Sequence, residues 1–476
     1  MTEHDGPTAP APAGARTASA ELAPEEQHLG HGLRVRHLTM MGLGSAIGAG
    51  LFIGTGQGIA IAGPAILASY AIAGLLIVLV MRMLAELAAA LPSSGSFSTY
   101  AEAGIGRWAG FTLGWVYWLT LIMVLGVEIT ASSAIIHSWV ALPQWLIAVV
   151  LVVGFAAVNL AGVRSFGEFE YWFAALKVGV IVVFLVVGVL LVLGVLPDRD
   201  PVGLTNLLGH GGFAPEGLAG IAAGLLVVVF AFGGIEIITI AAAESDDPQR
   251  SIARAARTIV WRILLFYVGS VAIMVLVLPW TSPELVGGPF VAVLGEAGIP
   301  GLAAIMEVVV VVALLSAFNA NVYGTSRMAF SLAERGDGPP VLTAVSRRGV
   351  PWVAVVVSVV FALVSVLLNW LLPETLLGVL LSAVGASLLV IWIAIAVSQL
   401  RLRPRLEATG RPLTVRMWAF PYLTWFTLAL LGGIVLLMLT DDAARRQALA
   451  TTVLVAGVAG IYAVRERLRE RRPAAG

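Results

Sequence analysis

This chain contains no cysteine and only one lysine. The first absence excludes disulfides, thiol catalysis and thiolate metal sites. The second leaves Lys177 as the single side-chain amine among 28 basic residues, all the others being arginine. Charge as a whole is scarce. Only 12% of residues are Asp, Glu, Lys or Arg and 59% are hydrophobic, against about 25% charged in an ordinary soluble protein. These figures exclude a soluble globular domain. A formal net charge of zero gives no pull towards nucleic acid. None of the six histidines (4, 28, 31, 37, 137, 210) lies deep in an apolar stretch. No nucleophile, catalytic dyad or metal cluster stands out either, so no enzyme chemistry, metal or cofactor is expected. Residues 1–32 are rich in Ala and Pro and have no apolar core, which reads as a disordered tail and not a signal peptide.

What the chain does have is a succession of apolar segments of about 20 residues, the length that crosses about 30 Å of hydrocarbon. They fall at 38–59, 64–91, 109–137, 144–163, 168–196, 217–242, 256–280, 300–330, 352–371, 375–399, 417–440 and 448–464. The expectation is an all-α integral membrane protein of about twelve transmembrane helices, its body spanning 33–466 in the lipid bilayer. Arginines orient it. Arg34, Arg36, Arg107, Arg164, Arg250, Arg254, Arg257, Arg335, Arg347, Arg348, the group 401–411 and the tail 465–472 all fall on one side of alternating spans. By the positive-inside rule both termini, including the tail 467–476, are cytoplasmic.

Two spans carry interruptions that a lipid-facing helix would not tolerate. Seven glycines, from Gly42 to Gly58, crowd the first, in GLGSAIGAGLFIGTGQG, and in the sixth FAFGGIE sets Gly233 and Gly234 directly before Glu236. Close helix packing is the competing explanation for the first cluster. Paired Gly-interrupted segments in corresponding positions of two inverted halves instead point to a transporter's binding site. Broken helices free amides that can hold a carboxylate, and carbonyls that can hold a cation or ammonium.

The remaining intramembrane polar residues are few. Lys177 lies inside FEYWFAALKVGVIVVFLVVGVLLVLGVL. An ionisable residue at such depth marks an ion or proton pathway unless it snorkels to the interface. Unlike arginine, lysine can release its proton when buried. Glu128, in LGVEITASS, is a lone carboxylate with no partner one turn away. Asn319, Asn321 and Tyr323 share the eighth span, and Ser382 and Ser387 flank Gly385 in the tenth, where interhelical hydrogen bonding accounts for the serines. Arg82 and Glu86, spaced i, i+4, read as a helix-surface ion pair. Glu168 and Glu170 read as complements to the dipole of the fifth helix.

Taken in order, several runs resemble the amino acid–polyamine–organocation superfamily, in its bacterial amino acid transporter branch. They are HLTMMGLGSAIGAGLFIGTG, GPAILASYAIAGLLIVLVMRMLAEL, SGSFSTYAEAGIGRWAGFTLGWVYW, SFGEFEYW, AAAESDDPQRSIARA, SRMAFSLAERGD and RMWAFPYLTW. SFSTYAEAGIGRWAGF and FGEFEYW are most similar to γ-aminobutyrate permeases. The resemblance implies a five-plus-five inverted repeat (38–196 and 217–399) plus two extra helices (417–464), and proton-coupled uptake of amino acids through the bacterial inner membrane. Carried over by position, Ser45, Ala46, Ile47, Gly48, Ala49 and Gly50 would hold the substrate carboxylate. Phe232, Gly233, Gly234 and Glu236, with Asn319, would complete the site. Lys177 falls where some relatives set a lysine against the first and eighth helices, in place of a coupling sodium ion. Gly233, Ile235, Ala320, Asn321, Ala383 and Val384 depart from the γ-aminobutyrate permease pattern, so the particular amino acid is left open. The expectation is a proton symporter for γ-aminobutyrate or a related small amino acid, with Lys177 and then Glu128 as proton carriers. The alternatives are a proton-independent exchanger, or a symporter for proline or for an apolar or aromatic amino acid.

Overall fold

The computed structural model describes residues 47–93, 95–197, 200–236, 250, 252, 263–371, 376–410, 413–440 and 442–470. Among them there are helices and turns but no strand. In lipid every backbone polar group has to be satisfied within its own segment, and helices do this. Seven described helices are long and apolar enough to cross a membrane. Their outer faces leave side chains such as Leu218 80% exposed and Val453 71% exposed. Apolar exposure on this scale suits lipid and not water.

The chain passes a π-turn at Gly50–Gly54 into α1 (Thr55–Ala62). A 3-10 turn at Gly63–Ala65 follows, where Gly63 takes a positive φ and Pro64 lacks an N–H, and α2 (Ile66–Ala90) begins. Thr55 Oγ1 and Tyr70 Oη, 15 residues apart, meet at 2.7 Å. A straight helix would hold them about 22 Å apart, so the chain folds back and the two segments lie side by side.

The centre of the bundle is a pair of 33-residue helices, α4 (Arg107–Trp139), which follows the short α3 (Ser96–Gly104), and α11 (Leu302–Glu334). At about 50 Å each they outreach the hydrocarbon core. Trp139 Nε1 donates to Glu307 Oε2 at one end of the pair, and Arg107 Nη2 donates to the Arg335 carbonyl at the other, so the two run antiparallel. Around them stand α5 (Gln144–Ala161), α6 (Val163–Val192), α7 (Gly217–Ala231), α8 (Gly269–Val277), the short α9 (Pro283–Gly287) and α10 (Pro289–Gly295), α12 (Trp352–Leu371), α13 (Leu376–Ala408), α14 (Tyr422–Met438) and α15 (Asp442–Glu470).

Arginines from distant loops gather at the Arg107 end. Arg335 pairs with Glu102 at 2.9 Å, Arg107 and Arg465 both reach Asp337, and Arg405 donates to the Ala103 carbonyl. These four arginines are among those expected on one side of the membrane, and packing brings them to one end of the bundle.

Three expectations are corrected here. Glu86 is not part of a helix-surface pair. It is fully buried and accepts from Arg403 Nη1 and Gln399 Nε2, both at 2.8 Å, and from the Met417 N–H. Arg82 donates to the Arg416 carbonyl and stacks on Trp418. Glu170 does more than complement a dipole, because it is buried against α11 (below). The tenth span, expected to end at 399, runs on as α13 to Ala408 with Pro404 inside it, since Arg403 anchors that extension to buried Glu86 and Arg405 donates to the Ala103 carbonyl.

Candidate functional site

The described edges of both predicted interruptions, 47–50 and 232–236, lie close together, Gly50 packing on Ala231. In the first, Leu51 N–H and Phe52 N–H both bond to the Gly48 carbonyl, at 3.2 and 3.1 Å. Backbone regularity is lost just before them, and the groups set free find side chains. Ala49 N–H donates to both oxygens of Glu128, each at 3.2 Å. The Ile47 carbonyl accepts from Lys177 Nζ at 3.3 Å. Ser45 and Ala46 lie outside the described residues.

Glycine is needed here for close approach. A Cβ on Gly48 would sit 2.4 Å from Glu128 Oε1, and one on Gly50 would sit 2.4 Å from Ala231 Cα. Gly50 therefore lets the first break press directly on the second. There α7 stops at Ala231, its last turn tightened by Phe232 N–H to the Val229 carbonyl and Gly233 N–H to the Phe230 carbonyl. Gly234 then takes φ +90°, which a side chain would oppose.

Between the breaks is a small cavity of about 20 Å³, room for little more than one water. Its wall is mostly apolar, with Val124, Phe230 and Ala231 beside Gly48, Gly50 and Gly233. Its polar side chains are Glu128 and Asn321. Asn321 Nδ2 is spent on the Ala317 carbonyl at 2.9 Å, while its Oδ1 is buried without a hydrogen-bond partner.

The other predicted residues are placed as follows. Asn319 is buried beside the cavity but does not line it; its Oδ1 accepts from Asn159 Nδ2 at 2.9 Å, bracing α11 against α5. The Phe232 ring packs on Tyr267 and Tyr70, with centroids 4.8 and 6.0 Å away. Glu236 is buried with the Tyr117 hydroxyl and the Gly234 amide beside it. Glu128 is no longer a lone carboxylate once the chain is folded, because its partner is a backbone amide 79 residues away. Ser387 bonds to the Ala383 carbonyl one turn back, as expected of a structural serine, and the side chain of Ser382 lies outside the described residues.

Lys177 is fully buried and has a carboxylate beside it that sequence reasoning missed. Glu170 Oε1 lies 3.8 Å from Nζ, and Ser316 Oγ donates to both Glu170 oxygens at 3.1 Å. The i, i+7 spacing of Glu170 and Lys177, two turns along one helix face, was the available signal. The lysine thus touches the first break directly and α11 through Glu170. Asn321 was also absent from the predicted site, although its polarity inside a span was visible.

These features define a polytopic membrane protein with a small, mostly apolar cavity between two Gly-rich turns, lined on its polar side by Glu128 and Asn321. The chain belongs to the amino acid permease family, whose profile matches residues 37–469. It is 53% identical over 437 residues to the aromatic amino acid transport protein AroP of Corynebacterium glutamicum, covering 91% of this chain and 94% of that protein. It is 44% identical to the γ-aminobutyric acid permease of Bacillus subtilis, with 91% and 92% covered. Identity to the γ-aminobutyric acid permease of Escherichia coli is 40%, with 91% and 94% covered. A solved manganese transporter of Eremococcus coleocola shares the fold at TM-score 0.55 and 16% identity, covering 89% of this chain and 92% of that one.

Proposed function

We propose that this chain imports an α-amino acid with an apolar side chain, by proton symport, across the bacterial inner membrane. The observation that carries the reading is the pair of contacts at the first break. A carboxylate rests on the Ala49 N–H, and an ammonium rests on the Ile47 carbonyl two residues earlier. An amino acid zwitterion carries those same two groups. The backbone from Ile47 to Gly50 holds the substrate carboxylate, and Gly233 and Gly234 form the facing wall. Asn321 Oδ1 accepts from the substrate ammonium, with Asn319 as a brace behind it. A mostly apolar wall with few polar groups suits a substrate whose two charges share one carbon and whose side chain is apolar. The relative at 53% identity, named for aromatic amino acids, favours the same class. γ-Aminobutyrate is the second reading, supported by the relatives at 44% and 40% identity.

The architecture that goes with this function is twelve spans in two inverted repeats of five plus two extra helices, with both termini cytoplasmic. Support comes from the paired breaks, the antiparallel α4 and α11, and the gathering of arginines at one end of the bundle. The proton is coupled at the first break, where Glu128 accepts from the Ala49 N–H and Lys177, bonded to the Ile47 carbonyl, supplies the charge beside it.

The test is uptake into proteoliposomes of a panel of labelled amino acids and γ-aminobutyrate, with and without an imposed pH gradient. Accumulation driven by an acidic outside is expected, and strongest for aromatic or aliphatic α-amino acids. Exchange without accumulation would replace symport by antiport, and transport of none of the panel would overturn the reading.

A further inference from the structure

The Glu128 carboxylate already occupies the anion-binding end of the first break. It takes the Ala49 N–H with both oxygens at 3.2 Å, and a Cβ on Gly48 would lie 2.4 Å from one of them. The cavity beside it is small, about 20 Å³, and its polar side chains are Glu128 itself and Asn321. We infer that Glu128 is an internal stand-in for the substrate carboxylate, and that each substrate molecule displaces it only when it is neutralised by one proton. This rests on the amino acid reading above and adds the step that ties the proton to the substrate.

The balance is simple. A proton from water on the entry side adds to a Glu128 oxygen, the neutral carboxyl leaves the amide, and the substrate carboxylate accepts the Ala49 N–H. On the exit side the substrate leaves, Glu128 releases its proton to water there, and the carboxylate returns to Ala49. One proton crosses with one zwitterion, and no other bond changes. Neutralisation is required because Val124, Phe230 and Ala231 offer a displaced anion no donor, and an ionised carboxylate in apolar surroundings is prohibitively costly.

The groups facing Glu128 leave it the role of proton carrier. From α6 the charged neighbour is Lys177, itself tied to Glu170 and to the Ile47 carbonyl. The first break presents an amide. Asn321 and Ala317 come from α11, Phe230 and Ala231 from α7, and α12 and α13 bring Ser365 and Leu380 against neighbouring Gly126. Glu236 faces Tyr117, which is about 16 Å from Glu128 along α4. Among the described residues, Lys177 is thus the one fixed charge set against this carboxylate.

The experiment is binding of labelled L-phenylalanine and of γ-aminobutyrate to purified full-length protein in nanodiscs between pH 5 and 8. Proton uptake on binding is read with a pH dye in weak buffer. Wild type should take up one proton per bound substrate, and its affinity should fall about tenfold per pH unit where Glu128 is ionised. Glu128→Gln should bind with a pH-independent affinity, take up no proton and lose gradient-driven accumulation in proteoliposomes. Lys177→Arg should still take up the proton, because its charge is retained.

Substrate binding by wild type without proton uptake overturns the inference with no variant needed, so it remains falsifiable if Glu128→Gln fails to fold. Proton uptake that survives Glu128→Gln, or that vanishes in Lys177→Arg while binding persists, moves the proton elsewhere and also overturns it. If wild type binds neither these probes nor any member of the uptake panel, the amino acid reading itself falls.

Discussion

Lys177 and Glu170 form an ion pair with no exposure to solvent, and its worth can be estimated from geometry. At 3.8 Å the attraction is about 4 kcal/mol at an effective dielectric of 20. Desolvating the two ions costs several kcal/mol each, so the intact pair contributes little net stability. Removing one member is a different matter. Lys177→Met leaves the Glu170 carboxylate against the Ser316 hydroxyl without its cation, and breaking a buried pair in this way costs about 3–5 kcal/mol. Replacing both, as Lys177→Met with Glu170→Gln, removes the stranded charge and should return stability to within about 1 kcal/mol of wild type. Unfolding of a large membrane protein is read best as a lifetime. The assay is therefore the half-life of tryptophan fluorescence in detergent at a fixed elevated temperature, for wild type, both single variants and the double. If the loss falls on the unfolding rate, the single variants should decay roughly 100-fold faster or more, and the double should recover most of that. The reasoning is refuted if Lys177→Met lasts as long as wild type, or if the double variant is worse than either single one.

The remaining predictions concern the breaks and the topology. Gly50→Leu forces a side chain into the Ala231 backbone, so uptake should be abolished at an overpacking cost of about 1–3 kcal/mol; normal uptake would mean the two breaks do not need to touch. Asn321→Ala removes the unpartnered acceptor in the cavity and should raise the apparent KM of the transported amino acid about 10- to 100-fold, whereas an unchanged KM would remove Asn321 from the site. Arg250→Cys places a thiol on an exposed residue of a cysteine-free chain. An impermeant maleimide should leave it unlabelled in intact cells and label it in inverted vesicles, and labelling of intact cells would reverse the orientation proposed here.

Much of the architecture was written in local sequence. Apolar runs of membrane length, arginines on alternate loops, and glycines at two matching depths are one-dimensional signals, because span length and backbone satisfaction in lipid depend on neighbours along the chain. The helices from 107 to 139, 144 to 161 and 352 to 371 fall within two residues of the expected limits. The break after Ala231 falls where Gly233 and Gly234 foretold it. Pairing was not legible in this way. Glu86 looked like a partner for Arg82 one turn away, but packing buries it against Arg403, 317 residues on. Glu170 looked like a dipole complement until α6 turned its face to Ser316, and Glu128 looked solitary until the first break came beside it. An ionisable side chain in an apolar bundle has to find a partner wherever the fold supplies one, and contacts across 79 to 317 residues leave no periodic trace. Sequence alone determined that this chain crosses a membrane and where its helices break. Tertiary structure decided which buried charge meets which freed backbone group, because only the folded backbone sets those groups within hydrogen-bonding reach.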